Sequence, residues 1–209
     1  MSAVILSTAY FPPISYFVAI LSYDTVFIEA YENYQKQSYR NRAYIAGPNK
    51  KQSLNIPVIR LNGNHTTIKD IKLDNSSHWK QQHWHSIKTA YNSSPFLMYY
   101  EDEIKAVFYK DHEYLWELNW ELILLLLELL QIDNKVSETS LFEINPDDIT
   151  DYRFVIHPKK ETIIKDQLIN NTYYQVFEEK HGFIEDLSVL DLLFNLGPDA
   201  GGYLRSIKL

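Results

Sequence analysis

Residues 3–29 constrain the fold of this chain more than any other stretch. An apolar run at 3–9 leads into Tyr10-Phe11-Pro12-Pro13, then an apolar segment over 14–22 and a second β-prone run at 25–29. Runs without polar alternation are what strands buried on both faces look like. A proline in the first turn of a helix costs nothing, because its missing N–H would be unpaired there anyway. The order strand, helix, strand predicts a β-α-β unit. The expected class is therefore α/β: a mixed sheet opening with a β-α-β unit, flanked by helices, in a single domain over residues 1–209. In open α/β sheets the carboxyl ends of the strands are a common ligand position.

Residues 43–59 read as a hairpin turning at Gly47-Pro48-Asn49, and 68–73 as another strand. Asn75 or Ser76 offers an N-cap for a helix over 77–91. Helices are expected at 103–109 and 114–130, followed by a polar connector over 133–145. Short strands are expected at 153–156 and 172–177. A last helix over 186–195 is stopped by Leu196-Gly197-Pro198.

Net charge −7 argues against broad binding to nucleic acid or an anionic membrane, which needs a basic face. The absence of cysteine removes thiolate catalysis, disulfides and cysteine-based zinc sites, and makes a reducing cytoplasm the expected compartment. Residues 1–9 carry no Lys or Arg, so no secretory signal is expected. The apolar run 122–127 lies between Glu121 and Glu128 and falls far short of the roughly 20 residues a membrane span needs.

Against this acidic background, residues 34–42 place Lys36, Arg40 and Arg42 among Tyr34, Gln35, Gln37, Ser38, Tyr39 and Asn41. Arginine offers a planar fork of donors matched to carboxylate or phosphate, and lysine a mobile point charge. The stretch reads as an anion-facing loop near the edge that the first two strands share; the bland reading is a solvated basic turn. A second polar set lies far along the chain. Ser188, Asp191 and Asn195 share one face of a helix whose other residues are mostly Leu, Val and Phe. Either Ser188 caps the helix, Asp191 anchors a loop backbone and Asn195 ties the C-terminal turn, or the stripe faces a pocket in which Asp191 orients a basic group. His78, His83 and His85 lack the spacing of a metal site, leaving His83 as an acid–base candidate. There is no Gly-x-Ser-x-Gly elbow, and the first strand-to-helix turn holds no glycine for a phosphate loop. No cofactor is expected.

Tyr10-Phe11-Pro12-Pro13-x-x-Tyr16-Phe17, the run 34–42 and Leu54-x-Ile56-Pro57-Val58 resemble the WbqC-like protein family. So do Trp79 with Ser86-Ile87-x-x-Ala90-Tyr91, Ser94-Pro95-Phe96, Tyr174-Gln175-Val176-Phe177 and Leu187-Ser188-x-Leu190-Asp191-Leu192-Leu193-Phe194-Asn195-x-Gly197. Thr8-Ala9 stands where relatives often carry Gln-Pro, and the segment between Ser137 and Thr172 is shorter than in bulkier relatives. The resemblance implies a bacterial protein of O-antigen and surface-polysaccharide gene clusters, with glycyl or acyl transfer to sugars as the suggested activity. The opening is also similar to nucleotidyltransferase-like folds, but Ile14 and Phe17 stand at the positions of their histidine pair, so cytidylyl transfer is not expected.

These readings predict a protein acting on an anionic small molecule, a nucleotide-activated amino sugar being the leading choice. Lys36, Arg40, Asn41 and Arg42 would hold the anion, with Tyr10, Tyr34 and Tyr39 packed on its rings. Gln175, Ser188 and Asn195 would form a polar wall, with Asp191 as general base. Enzyme or not stays open at this point. The rival is a non-catalytic binding or assembly protein, homodimer included, whose basic cluster meets an acidic partner. A third reading pairs Arg40 or Arg42 with Asp191 inside the core. The leading reading needs Arg40 and Asp191 to line one hollow open to water.

Overall fold

The two apolar runs pair as the opening predicts. In the computed structural model, which describes residues 2–209, β1 (Ala3–Ser7) and β2 (Thr25–Glu29) lie parallel, with Ala3 opposite Thr25 and Ser7 opposite Glu29. The crossover is α1 (Ile14–Leu21), whose residues 14–20 are all buried. A helix apolar all round belongs inside, and each large aliphatic side chain it hides is worth roughly 1.5–3 kcal/mol.

The rest of the chain wraps this unit. β3 (Arg42–Gly47) and β4 (Lys50–Asn55) form an antiparallel hairpin with Gly47 opposite Lys50, so the turn is Pro48-Asn49. β5 (Val58–Ile59) pairs with β6 (Lys72–Leu73) in a second small ribbon. The strand expected at 68–73 is thereby shortened: Ile68–Asp70 is a 3-10 turn and only Lys72–Leu73 is extended. Three helices follow, α2 (Trp79–Tyr91), α3 (Leu97–Phe108) and α4 (Leu115–Leu129). α2 is not capped by Asn75 or Ser76; it begins after His78, and Asn75 instead accepts from the Trp79 indole at 3.1 Å. Glu117 secures the start of α4 by accepting from the backbone N–H groups of Glu113 and Tyr114, each at 3.2 Å.

The connector at 133–145 contributes a strand after all. β7 (Val136–Glu138) adds to the outside of β2, and β8 (Thr150–Asp151) adds to the far side of β1, both parallel. The main sheet thus has the order β7-β2-β1-β8 and is parallel throughout, the antiparallel pairs being kept in separate ribbons. The strands expected at 153–156 and 172–177 are turns and irregular backbone. Two short helices, α5 (Lys165–Asn170) and α6 (Glu178–His181), precede α7 (Val189–Leu196). Gly197, at φ +56°, ends α7 as expected, but a 3-10 turn then feeds α8 (Ala200–Ser206). Among the described residues no helix is long and apolar enough to cross a membrane.

Candidate functional site

The sheet has a point where strand order reverses. From β1 the chain runs outward to β2 and β7, then returns to the opposite side of β1 as β8. Side chains beyond the carboxyl ends of β1 and β8 are therefore splayed around a crevice, the usual ligand position of open parallel sheets. Here it is bordered by Ser7, Thr8, Tyr16, Tyr39, Arg40 and Tyr152, and its free volume is about 10 Å³. That is room for one water. The Thr8 hydroxyl, on a residue 1 % exposed, has no hydrogen-bond partner there.

Beneath the crevice lies a buried charge network. Arg40 donates from Nε to Glu32 Oε1 at 2.8 Å and from one terminal nitrogen to Glu32 Oε2 and Ser7 Oγ, both at 2.5 Å. Ser7 Oγ in turn donates to the Arg153 carbonyl at 2.9 Å. Arg153 bridges two further carboxylates, Glu29 at 2.9 Å and Asp151 at 2.7 and 3.0 Å. Burial pushes the Glu32 carboxyl up, and the Arg40 guanidinium only partly offsets this. A network with every charge paired is scaffolding first: it fixes the ends of β1, β2 and β8 relative to one another.

The N-terminus of α1, where such folds often seat a phosphate, is taken by the chain's own carboxylate. Asp186 accepts from Ser15 N at 2.8 Å and from Ser15 Oγ at 2.9 Å. Further cations lie on the loop before Arg40, on the strand after it and on the turn that follows Ile156 of the crevice wall. Lys36 is exposed, while Arg42 is half-buried and bonded to Asn55 Oδ1 at 2.5 Å and Tyr44 OH at 3.2 Å. Across from them comes the turn His157-Pro158-Lys159-Lys160, closed by Lys160 N–H donating to the His157 carbonyl at 2.9 Å. Lys159 reaches the Gln37 side chain. Partial burial and the charges of Arg40, Lys159, Lys160 and Arg42, in that order, hold His157 below the usual histidine range.

The sequence-derived residues divide accordingly. Arg40 lines the crevice but is committed to Glu32, so it is not a free anion ligand. Asn41 ties the hairpin by donating to the Ile56 carbonyl at 2.8 Å, and Tyr34 is 8 % exposed. Tyr10 is fully buried, its hydroxyl 2.9 Å from His83 Nδ1, and burial holds His83 down at about 4. His83 is thus a neutral core residue at physiological pH, and among the described residues no cluster of three or more ligating side chains could hold a metal.

Asp191 is fully buried and lies within a shell of its own. It accepts on Oδ2 from Tyr173 OH at 2.5 Å and from Gln175 Nε2 at 2.9 Å, while Oδ1 has no hydrogen-bond partner. Gln175 also clamps Ile184, accepting from its N–H at 2.8 Å and donating to its carbonyl at 2.9 Å. Ser188 caps α7 by accepting from Leu190 N, and Asn195 donates to the Asp191 carbonyl at 2.8 Å. Burial pushes Asp191 up to about 6, those hydroxyl and amide donors offsetting part of the rise. Neither Arg40 nor Arg42 is its partner, and the hollow in which Arg40 and Asp191 were to meet is not formed: Asp191 has no access to water. Thr8 entered the sequence reading only as the residue standing at the relatives' Gln; those it passed over are Glu29, Glu32, Asp151, Arg153 and the 157–160 turn. Only the last carried a readable signal, two lysines and a histidine around a proline in an acidic chain.

Fold and crevice define an α/β protein whose parallel sheet reverses its strand order beside a small crevice. The sequence profile of the WbqC-like protein family matches residues 8–162, and the chain belongs to that family. The matched span contains Thr8, the basic cluster and the 157–160 turn, and ends before Asp191. The chain is also similar to "Uncharacterized protein Rv1507c" of Mycobacterium tuberculosis, 23% identical over 224 residues with 96% of each chain covered. No solved structure matches the chain significantly.

Proposed function

We propose that the crevice beyond β1 and β8 takes a phosphate-bearing, nucleotide-activated amino sugar, and that the protein transfers an acyl or glycyl group to it in the assembly of a surface polysaccharide such as O-antigen. One observation carries this reading. In a chain of net charge −7, Arg40, Arg42, Lys159 and Lys160 gather about His157, next to Ile156 on the wall of a crevice that keeps the buried Thr8 hydroxyl unpaired. Lys36, Arg42 and the 157–160 turn face the anion, and Thr8 meets a ligand hydroxyl. Arg40 braces the floor, while Asp191 and His83 belong to the fold. Holding two reactants in register is itself worth several kcal/mol of a transfer barrier, so positioning is the main contribution assigned to these groups.

Isothermal titration against a panel of nucleotide sugars tests it, wild type beside a Lys36→Ala/Arg42→Ala double variant. Binding that weakens in the variant and with added salt supports the reading. No heat with any nucleotide sugar sinks it.

The crevice's small volume favours a second reading, in which nothing enters and the exposed cations dock an acidic surface of another protein, a second copy of this acidic chain included. Self-association that salt dissolves, seen by analytical ultracentrifugation and lost in the same double variant, would decide for it.

A further inference from the structure

The crevice has room for about one water, yet Arg40 lines it, and Arg42, Lys159 and Lys160 stand about His157, one residue beyond Ile156 on its wall. What narrows it is the segment running out of β8, with Tyr152 and Ile156 on its wall and the 157–160 turn at its end. That turn is organised. Pro158 presets the backbone at the second position of a turn closed by the Lys160 N–H bond to the His157 carbonyl. Lys159 N–H donates to His157 Nδ1 at 3.1 Å, which leaves the ring proton on Nε2. The cations beside it, Lys159 and Lys160 on its own turn and Arg40 and Arg42 from the facing loop and β3, oppose a second proton on the ring. His157 therefore offers one fixed N–H donor among positive charges. Lys159, by contrast, rests on a neutral partner, the amide of Gln37, whose backbone sits at φ +57°.

A lysine held by an amide will exchange it for a phosphate oxygen, because a hydrogen bond between two charged groups is about twice as strong as one to a neutral acceptor. We propose that the His157–Lys160 turn is a phosphate-binding strap: it lifts to admit the ligand, then holds the diphosphate through His157 Nε2–H and Lys159, with Arg42 opposite. This rests on the reading of the crevice as a nucleotide-sugar site and assigns the part of the ligand that carries its charge.

Two probes separate the claims: inorganic pyrophosphate and UDP-N-acetylglucosamine, titrated calorimetrically into the full chain. Lys159→Ala and His157→Ala should each weaken pyrophosphate binding about tenfold. His157→Gln, which keeps an N–H near the Nε2 position, should recover most of the loss. Gln37→Gly removes the competing acceptor at a backbone angle glycine accepts, and should tighten binding severalfold. Addition of pyrophosphate should also shift the His157 ring resonances. These side chains are exposed or half-buried, so thermal melts should match wild type.

Wild-type affinity in Lys159→Ala and His157→Ala overturns the strap, even where the nucleotide sugar binds. Pyrophosphate binding through these residues without sugar-nucleotide binding keeps the strap and removes the nucleotide-sugar assignment. A wild-type chain that binds neither probe ends both.

Discussion

The Glu32 carboxylate and the Arg40 guanidinium meet through two hydrogen bonds, 2.8 and 2.5 Å long, with both side chains 2 % exposed. The pair joins the loop after β2 to the end of the basic cluster, directly under the crevice. Removing one partner leaves the other charge buried and alone, a loss of about 3–5 kcal/mol, whereas replacing both by apolar groups is often close to neutral. Arg40→Ala should therefore unfold at much lower urea, and Glu32→Leu/Arg40→Met should recover most of the stability. Equal losses in the single and double variants would mean the pair is not the unit.

Asp191 yields a pH signature. Its carboxyl is pushed up to about 6 by burial, from an ordinary value of 3.8, so the folded chain holds that proton more tightly than the unfolded chain. The stability this contributes is fully present below pH 4 or so, falls as pH rises through about 6, and is absent above, a change of about 3 kcal/mol. Asp191→Asn has no proton to lose. Its stability relative to wild type should climb by about 2–3 kcal/mol between pH 4 and pH 7.5, read from urea melts at both. A carboxylate paired with a buried cation would give the opposite trend.

What could be read beforehand follows from how locally each feature is encoded. β1, α1 and β2 were legible because strands buried on both faces need unbroken apolar runs, and Pro12-Pro13 marks the reversal. β7 and β8 were not. Val136-Ser137-Glu138 and Thr150-Asp151 carry no strand pattern, and they are extended because β2 and β1 offer free edges to pair with. The basic cluster was legible as chemistry, but the fate of Arg40 was decided by Glu32 and Ser7, eight and 33 residues away. The polar stripe on α7 is legible, and Ser188 does cap the helix, but Asp191 holds the side chains of Tyr173 and Gln175 and no loop backbone, and Asn195 bonds back to the Asp191 carbonyl. A hydroxyl left unpaired, like that of Thr8, depends on what fails to approach it, which no local pattern records.

Two glycines at nearly the same φ differ in crowding, and Gly197 adds a ψ of −124° that lies outside the left-handed helical region. Gly63 and Gly197 sit at φ +57° and +56°. A Cβ at Gly63 would meet nothing within 4 Å, while at Gly197 it would lie 2.5 Å from the Phe96 ring. Gly63→Ala should cost only the left-handed backbone penalty, about 1–2 kcal/mol. Gly197→Ala faces a harsher backbone penalty, at ψ −124°, and also displaces Phe96 from the end of α7, a further 1–3 kcal/mol or so by overpacking. Denaturant midpoints should show Gly197→Ala losing more than Gly63→Ala; equal losses would mean that both Phe96 and the backbone at 197 yield freely.

Thr8 sets function against stability. Its hydroxyl is buried and unpartnered, so replacing it by the methyl of valine removes an unsatisfied group from an otherwise similar shape. Thr8→Val should fold at least as stably as wild type, with a gain of up to about 1 kcal/mol in urea unfolding. If that hydroxyl is kept to meet a ligand, the same variant should bind a nucleotide sugar about tenfold more weakly, the cost of a lost hydrogen bond in a closed site. Thr8→Ser, which keeps the oxygen, should bind as wild type does. The two readouts move in opposite directions only when the unpaired group serves binding. A Thr8→Val chain that loses stability and keeps its affinity would assign the hydroxyl to the fold, and the floor of the crevice would no longer point to a ligand.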